Sequence, residues 1–149
     1  MVILNQMGEV LFRIPDGWDP IFEDRDLLAG AQLQGAQLRV ADLGNANLAN
    51  SCLAGADLYH AFLNAASLNG ADLQSACLRG ADLEDTDLRF ANLSNADLGF
   101  SDIGQGTRLG GANLSGANID GAQFAGAIYD QTTIFPDGFR PCDHGMRFF

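Results

Sequence analysis

The chain has 149 residues, which is the size of one domain. Its net charge is −11, from 19 acidic and 8 basic residues, and every basic residue is Arg. This charge disfavours a nucleic-acid binder, because such proteins set Lys and Arg against phosphates. No stretch reaches the roughly 18–20 apolar residues of a membrane helix, the start lacks the basic residue of a secretory signal, and three cysteines make no disulfide framework. We therefore expect a cytoplasmic protein without membrane contact or direct nucleic-acid binding.

The composition points to an internal repeat, because 20 Leu, 21 Ala and 18 Gly make up over a third of the chain. A large apolar residue recurs every five positions from Leu28 to Ile103 and again from Leu109 to Phe124. The residue two positions earlier is small, usually Ala, and the residue just before is often Asp or Asn. One extra residue lies within 104–106, so we expect a one-residue bulge at one corner after Ile103.

A period of five fits neither a helix nor a flat strand. Five residues advance about 500° around a helix, which leaves no common face. Strand side chains alternate with period two, so a spacing of five would send successive Leu to opposite faces. The pattern therefore requires one bend per unit, with Leu and the small residue inward and Gly at corners that need unusual backbone angles. We expect the Asp before Leu to bond the local backbone at the turn. The result is a solenoid of stacked coils.

The tandem Ala-(Asp/Asn)-Leu-x-x units between Asp26 and Gly126 resemble the pentapeptide-repeat family. The resemblance implies an all-β fold, a right-handed quadrilateral parallel β-helix of about five coils with short N- and C-terminal caps. We assign residues 1–26 to the N-terminal cap, 27–126 to the β-helix and 127–149 to the C-terminal cap or tail. The tail segment Phe135-Pro136-Asp137-Gly138-Phe139 resembles the tail of cyanobacterial members.

Both flanking segments contain the apolar residues that capping an open coil requires. Residues 2–14 predict two short strands around 5–8, and Asp19-Pro20 predicts a short helix over 20–25. Aromatic residues in the two flanks are expected either to cover the end coils or to join two copies into a homodimer through a terminal cap: Trp18, Phe135, Phe139, Phe148 and Phe149.

With 20 residues per coil, and 21 across the bulge, outward residues align in columns. Asp102 then follows Asp82 on the fourth side, with Gln123 after it, while Asp120 and Gly121 follow residues 99 and 100. One corner collects aromatic and charged residues and is the candidate interaction patch: Val40, Tyr59, His60, Phe62, Asp82, Phe100 and Asp102. The alternative interpretation is that scattered exposed aromatic residues are ordinary.

The sequence predicts no catalytic, cofactor or metal site. Cys142 and His144 are too few ligands for a metal ion, and a phosphate-binding loop would need Lys. An interior filled by Leu and Ala leaves no substrate cleft, so we do not expect an enzyme.

Three functions are compatible with these features. The first is a rigid scaffold that binds an unknown protein partner. The second is DNA mimicry, because quinolone-resistance members of the family are acidic rods that bind DNA gyrase, and residues 27–126 carry a net −6 from ten acidic residues and four Arg. The third is a regulatory or structural accessory in a cyanobacterium, which the tail resemblance alone implies.

Overall fold

The computed structural model describes residues 2–13 and 25–149. Strand β1 (Val2–Leu4) pairs antiparallel with β2 (Val10–Arg13), and β3 (Ile128–Tyr129) pairs parallel with β4 (Arg147–Phe148). Two short 3-10 helices span Arg25–Leu28 and Pro141–His144. The predicted helix over 20–25 lies mostly, and Trp18 entirely, outside the described residues.

Between these end elements the chain returns beside itself after every four five-residue units. Parallel bridges join residues 20 apart, from Gln32 with Cys52 to Cys77 with Asp97. The units therefore form four rows, which we call the first to fourth sides. The third side carries Leu38, Leu58, Leu78 and Leu98 inside, and the fourth side carries Leu43, Leu63, Leu83 and Leu109.

The interior consists of Leu and of the small residue two positions before it, as the period of five predicts. Leu33 through Leu98 are buried at every fifth position, and the preceding Ala residues are buried with them, apart from the partly buried Ala31 and Ala41. Full burial of one Leu side chain is worth roughly 1.5–3 kcal/mol. The stacked Leu rows are thus the main source of stability.

The corners also confirm the expected backbone. The second residue after each interior Leu has a positive φ in the regular units, whether it is Gly80 (φ 68°) or Val40 (φ 57°). The Asp or Asn before the interior Leu accepts a hydrogen bond from the N–H two residues later, as Asp57 does from Tyr59 at 3.1 Å. Ten units of the array form this hydrogen bond, and the accepting Asp or Asn side chain is at residue 42, 47, 57, 72, 82, 87, 92, 97, 113 or 118.

The one-residue bulge was a wrong prediction, because the insertion has six residues. The bridge spacing rises to 26 residues at Asp82 with Arg108 and at Asp97 with Gln123, then returns to 20 at Arg108 with Ile128. Residues 101–106 leave the coil, and we call them the inserted loop. Ile103 is 78% exposed, and Leu109 takes the interior position that Ile103 was predicted to fill.

Hydrogen bonds explain why the larger insertion is stable. The Thr107 hydroxyl donates to the Leu78 carbonyl at 2.7 Å and accepts from the Gly80 N–H at 3.2 Å, which fixes the re-entry of the chain. The loop closes through Ser101, whose N–H donates to the Gln105 carbonyl at 2.7 Å. Every later unit shifts by one side, so the predicted columns are wrong after residue 100. Gln123 lies on the third side, and Asp120 follows residue 94 rather than residue 99.

The two ends of the array are covered differently. At the N-terminal end, the Leu4 carbonyl accepts from the Gln37 N–H at 2.7 Å, and Ile3 is buried against the interior. At the C-terminal end, the backbone pairing between successive coils continues past residue 126. Ile134 bridges Asn113, and β4 pairs with β3 as a further row of the fourth side.

Candidate interaction surface

The predicted patch occupies the corner between the third and fourth sides, and we call its residues the corner surface: Val40, Tyr59, His60, Phe62, Asp82, Phe100 and Asp102. Backbone pairing places most of them together. The Val40 N–H donates to the Tyr59 carbonyl at 2.9 Å, and Phe62 bridges Asp82 on the fourth side.

Tyr59 is the centre of this corner. The Arg39 guanidinium carbon lies 4.1 Å from the centroid of its ring, and the His60 ring packs edge-on at 4.5 Å. The Tyr59 hydroxyl accepts a hydrogen bond from the Asp102 N–H at 3.2 Å. Tyr59 therefore links one corner of the array to the inserted loop.

Asp102 lies at the corner because of the inserted loop, and not because it follows Asp82 in the predicted column. Arg108, not Asp102, follows Asp82 on the fourth side. The inserted loop instead folds back along the corner, where Asp102 forms an ion pair with Arg79 at 3.1 Å. Arg79 also donates from Nε to the Phe100 carbonyl, at the start of the loop.

Several apolar side chains at this corner are open to solvent. Phe62 is 47% exposed, and Val40 and Phe100 are exposed as well. The Arg147 guanidinium lies 5.8 Å from the Phe100 ring centroid. Sequence reasoning missed Arg147 as a corner residue and the exposure of Ile103 in the inserted loop. Ser101-Asp102-Ile103 matches the repeat unit as well as Thr107-Arg108-Leu109 does, so the sequence carries no signal that chooses between them.

The aromatic residues of the C-terminal segment form a connected set of rings over the last coil. The Phe139 ring lies 5.2 Å from that of Phe124 and 5.0 Å from that of Phe135, and His144 stacks on Phe139 at 4.4 Å. Phe148 contacts Tyr129 at 5.4 Å yet remains 64% exposed. Phe135 and Phe139 thus act in the cap, whereas Phe148 and Phe149 extend into solvent.

The acidic residues have mainly structural contacts. Arg89 forms two hydrogen bonds with Asp87, at 2.8 and 2.7 Å, and this contact lowers the pKa of the Asp87 carboxyl. Asp82 and Glu84 both contact Arg108. Within residues 2–13 and 25–149, no group of three or more His, Cys, Asp or Glu is placed to hold a metal ion. In the same part of the chain, no helix is long and apolar enough to cross a membrane.

Stacked five-residue units around an interior of Leu and Ala define a repeat solenoid. A family model described as Pentapeptide repeats matches residues 27–64, 66–99 and 105–128, and the gap after residue 99 coincides with the start of the inserted loop. The chain belongs to the pentapeptide repeat family.

Solved structures of pentapeptide repeat proteins are similar to this chain. Rfr23 from the cyanobacterium Cyanothece 51142 is 33% identical over 64% of both chains, with a TM-score of 0.40. HetL, involved in heterocyst differentiation regulation in Nostoc sp. strain PCC 7120, is 29% identical over 80% of this chain and 58% of its own, with a TM-score of 0.44. A protein from the Arabidopsis thaliana thylakoid lumen is 27% identical over 79% and 77%, with a TM-score of 0.46.

The chain spans less than two thirds of the length of Rfr23 and of HetL. No curated protein matches the sequence at a significant level.

Proposed function

We propose that this protein is a non-enzymatic scaffold that binds another protein through the corner surface, and that the array is a right-handed quadrilateral β-helix of about five coils. The observation that carries the proposal is the fixed position of exposed aromatic and Arg side chains at one corner. Tyr, Phe and Arg are enriched in interface cores, where a few anchors supply most of the binding energy.

Preorganisation supports a binding role for this corner. The inserted loop is held by the Tyr59 hydroxyl and by Arg79, so Ile103 is presented on a fixed backbone. Side chains and loops that are already ordered lose less conformational entropy on binding. Most other outward positions of the array carry Gly, Ala, Ser, Asn or Gln, which supply few such anchors.

Six of the ten acidic residues within 27–126 accept the backbone hydrogen bonds of the corners. Because these carboxylates stabilise turns, the net charge is weak support for a DNA-like surface that would bind gyrase. The three cysteines are free, which supports action in the reducing cytoplasm.

Affinity capture from a native lysate, followed by mass spectrometry, tests the scaffold proposal. The wild-type protein is compared with Tyr59→Ala/Phe62→Ala and with Phe90→Ala, which removes an exposed aromatic residue (69% exposed) away from the corner. We expect wild type and Phe90→Ala to retain the same partner and the double variant to lose it. Equal capture by all three proteins would rule out the corner surface.

A homodimer through the C-terminal cap is our second proposal for partners. It is supported by the exposed Phe148 and by backbone N–H groups of the last described coil that have no partner on a following coil. In the described part of the chain, the N–H groups of Ile119 and Phe124 have no hydrogen-bond acceptor. Light scattering of wild type and Phe148→Ser tests it. We expect a dimer that the variant weakens, and a monomeric wild type would contradict the proposal.

A further inference from the structure

A cavity of about 370 Å³ opens on the fourth side, towards the C-terminal end of the array. Arg108 and Ile128 line it from successive coils, and Glu84, Gly110 and Asp130 line it from the adjoining corner. Phe149, which is 92% exposed, lies at its rim. Arg108 connects the cavity to the corner surface, because its guanidinium contacts Asp82 at 3.5 Å.

Two carboxylate oxygens border this cavity beside Gly110, namely Asp130 Oδ2 and Glu84 Oε1, and Glu84 Oε1 also accepts a hydrogen bond from Arg108 Nη2. A Cβ atom on Gly110 would lie 3.3 Å from Asp130 Oδ2 and 3.7 Å from Glu84 Oε1. The two oxygens belong to different side chains. They therefore do not form the planar pair that a guanidinium binds through two parallel hydrogen bonds.

The Asp130 carboxylate is oriented by bonds to only one of its oxygens. Oδ1 accepts hydrogen bonds from the N–H and hydroxyl of Thr132, from the Thr133 N–H, and from the Gly111 N–H at 3.1 Å. These bonds, above all that from the Thr132 hydroxyl, hold the pKa of Asp130 far below its usual value. No group among residues 2–13 and 25–149 donates to Oδ2, which faces the cavity.

The charges and walls of the cavity select the chemistry of an occupant. Arg108 is the one basic residue lining it, and its guanidinium already contacts both Asp82 and Glu84. The local charge is therefore negative, while Ile128 and Phe149 supply apolar walls. A cationic head on an apolar stem fits such a site, since the head pairs with carboxylates and the stem packs on apolar surface.

We propose that this cavity accepts a lysine side chain of a partner protein, with the ammonium on Asp130 Oδ2 and sharing the Glu84 carboxylate with Arg108, and with the stem against Ile128 and Phe149. A compact ammonium with three rotatable donors suits oxygens from separate carboxylates. The chain itself contains no Lys, so a second copy cannot supply the side chain. The inference rests on the proposed scaffold function and names the chemistry of the partner.

Nuclear magnetic resonance titration tests the cavity without the partner. The probes are Nα-acetyl-lysine methylamide, the norleucine and arginine analogues, and n-butylamine. We expect saturable shifts of the Gly110, Ile128 and Asp130 amides with the lysine probe, and no saturation with norleucine. Asp130→Asn should raise the Kd about tenfold, as expected for loss of one charge-assisted hydrogen bond. Gly110→Ala should also raise the Kd, because its Cβ would occupy the space beside Asp130 Oδ2 and Glu84 Oε1. Gly44→Ala, at the same corner position nearer the N-terminus, should leave the Kd unchanged.

The other outcomes overturn the proposal. Equal binding of norleucine shows an apolar site, tighter binding of the arginine probe shows a guanidinium site, and tighter binding of n-butylamine assigns the cavity to free amines.

Capture from lysate separates this proposal from the scaffold function. If Gly110→Ala retains the partner while Tyr59→Ala/Phe62→Ala loses it, the lysine site is wrong and the scaffold function stands. If Gly110→Ala loses the partner and Gly44→Ala keeps it, and prior acetylation of lysate lysines also abolishes capture, the proposal is supported.

Discussion

The hydroxyl oxygen of Tyr59 accepts a hydrogen bond from the backbone N–H of Asp102, 43 residues further along the chain, at 3.2 Å. This contact fastens the inserted loop to the corner surface. It brings Asp102, which precedes the exposed Ile103, to the corner and makes one surface from two distant parts of the sequence.

Removing the Tyr59 hydroxyl should loosen the inserted loop. Tyr59→Phe keeps the ring under Arg39 and deletes only the acceptor for the Asp102 N–H. We expect a loss of about 0.5–1.5 kcal/mol in the free energy of unfolding. Hydrogen exchange should be faster within residues 101–106. Tyr129→Phe is the matched control, and equal exchange in both variants would contradict the role of the Tyr59 hydroxyl.

Ser51 is expected to be a position where a substitution stabilises the protein. Its buried hydroxyl has no hydrogen-bond partner, and most other units carry Ala at this place. Ser51→Ala should raise the free energy of unfolding by about 1 kcal/mol, because it removes an unsatisfied buried polar group. Thr86→Ala should lower it by a similar amount, since the Thr86 hydroxyl donates to the Leu63 carbonyl at 2.8 Å. Urea unfolding of both variants measures the two changes in the free energy of unfolding. A loss of stability in Ser51→Ala would show that its hydroxyl does not destabilise the folded protein.

The re-entry of the inserted loop depends on a glycine. A Cβ on Gly106 would overlap the Gly126 carbonyl oxygen, whereas a Cβ on Gly104 meets no atom within 4 Å. Gly106→Ala should therefore cost more than about 3 kcal/mol, because backbone must move. Gly104→Ala should cost only the strain of its positive φ, about 1–2 kcal/mol. Thermal and urea unfolding compare the two, and similar losses would show that the packing at Gly106 is not tight.

Asp130 makes stability depend on acid pH. Its pKa is lowered in the folded protein, so its contribution is present above the usual carboxyl pKa and is lost as the pH falls through and below that value. Asp130→Asn should be less stable than wild type at pH 7 and show a flatter decline of unfolding midpoint towards low pH. Urea midpoints over this pH range measure the difference. Parallel curves of urea midpoint against pH for the two proteins would exclude Asp130 as the source of the acid dependence of stability.

The regular part of the fold was predictable because each unit repeats the same physical constraints. Leu must be buried, a small residue must share the narrow interior, and an Asp or Asn bonds the turn, as at Asp57. The insertion was not predictable, since Ile103 and Leu109 both satisfy the spacing and only contacts between coils choose Leu109. Those contacts are the Thr107 bonds to Leu78 and Gly80, which are distant in sequence.

The same distinction applies to the corner surface. Tyr59 and Phe62 were placed by the repeat register alone, because no irregular segment precedes them in the array. Asp102 was assigned to this corner through a column that the six-residue insertion removes. It reaches the corner through Tyr59 and Arg79, and side-chain bonds of that kind leave no periodic signal.

The most direct measurement of the central claim is the hydrogen-exchange footprint of the protein in its purified complex with the captured partner. We expect slower exchange in the complex within residues 59–62 and 101–105, with no change around Phe90. Slower exchange confined to residues 89–95, and none at the corner surface, would contradict it.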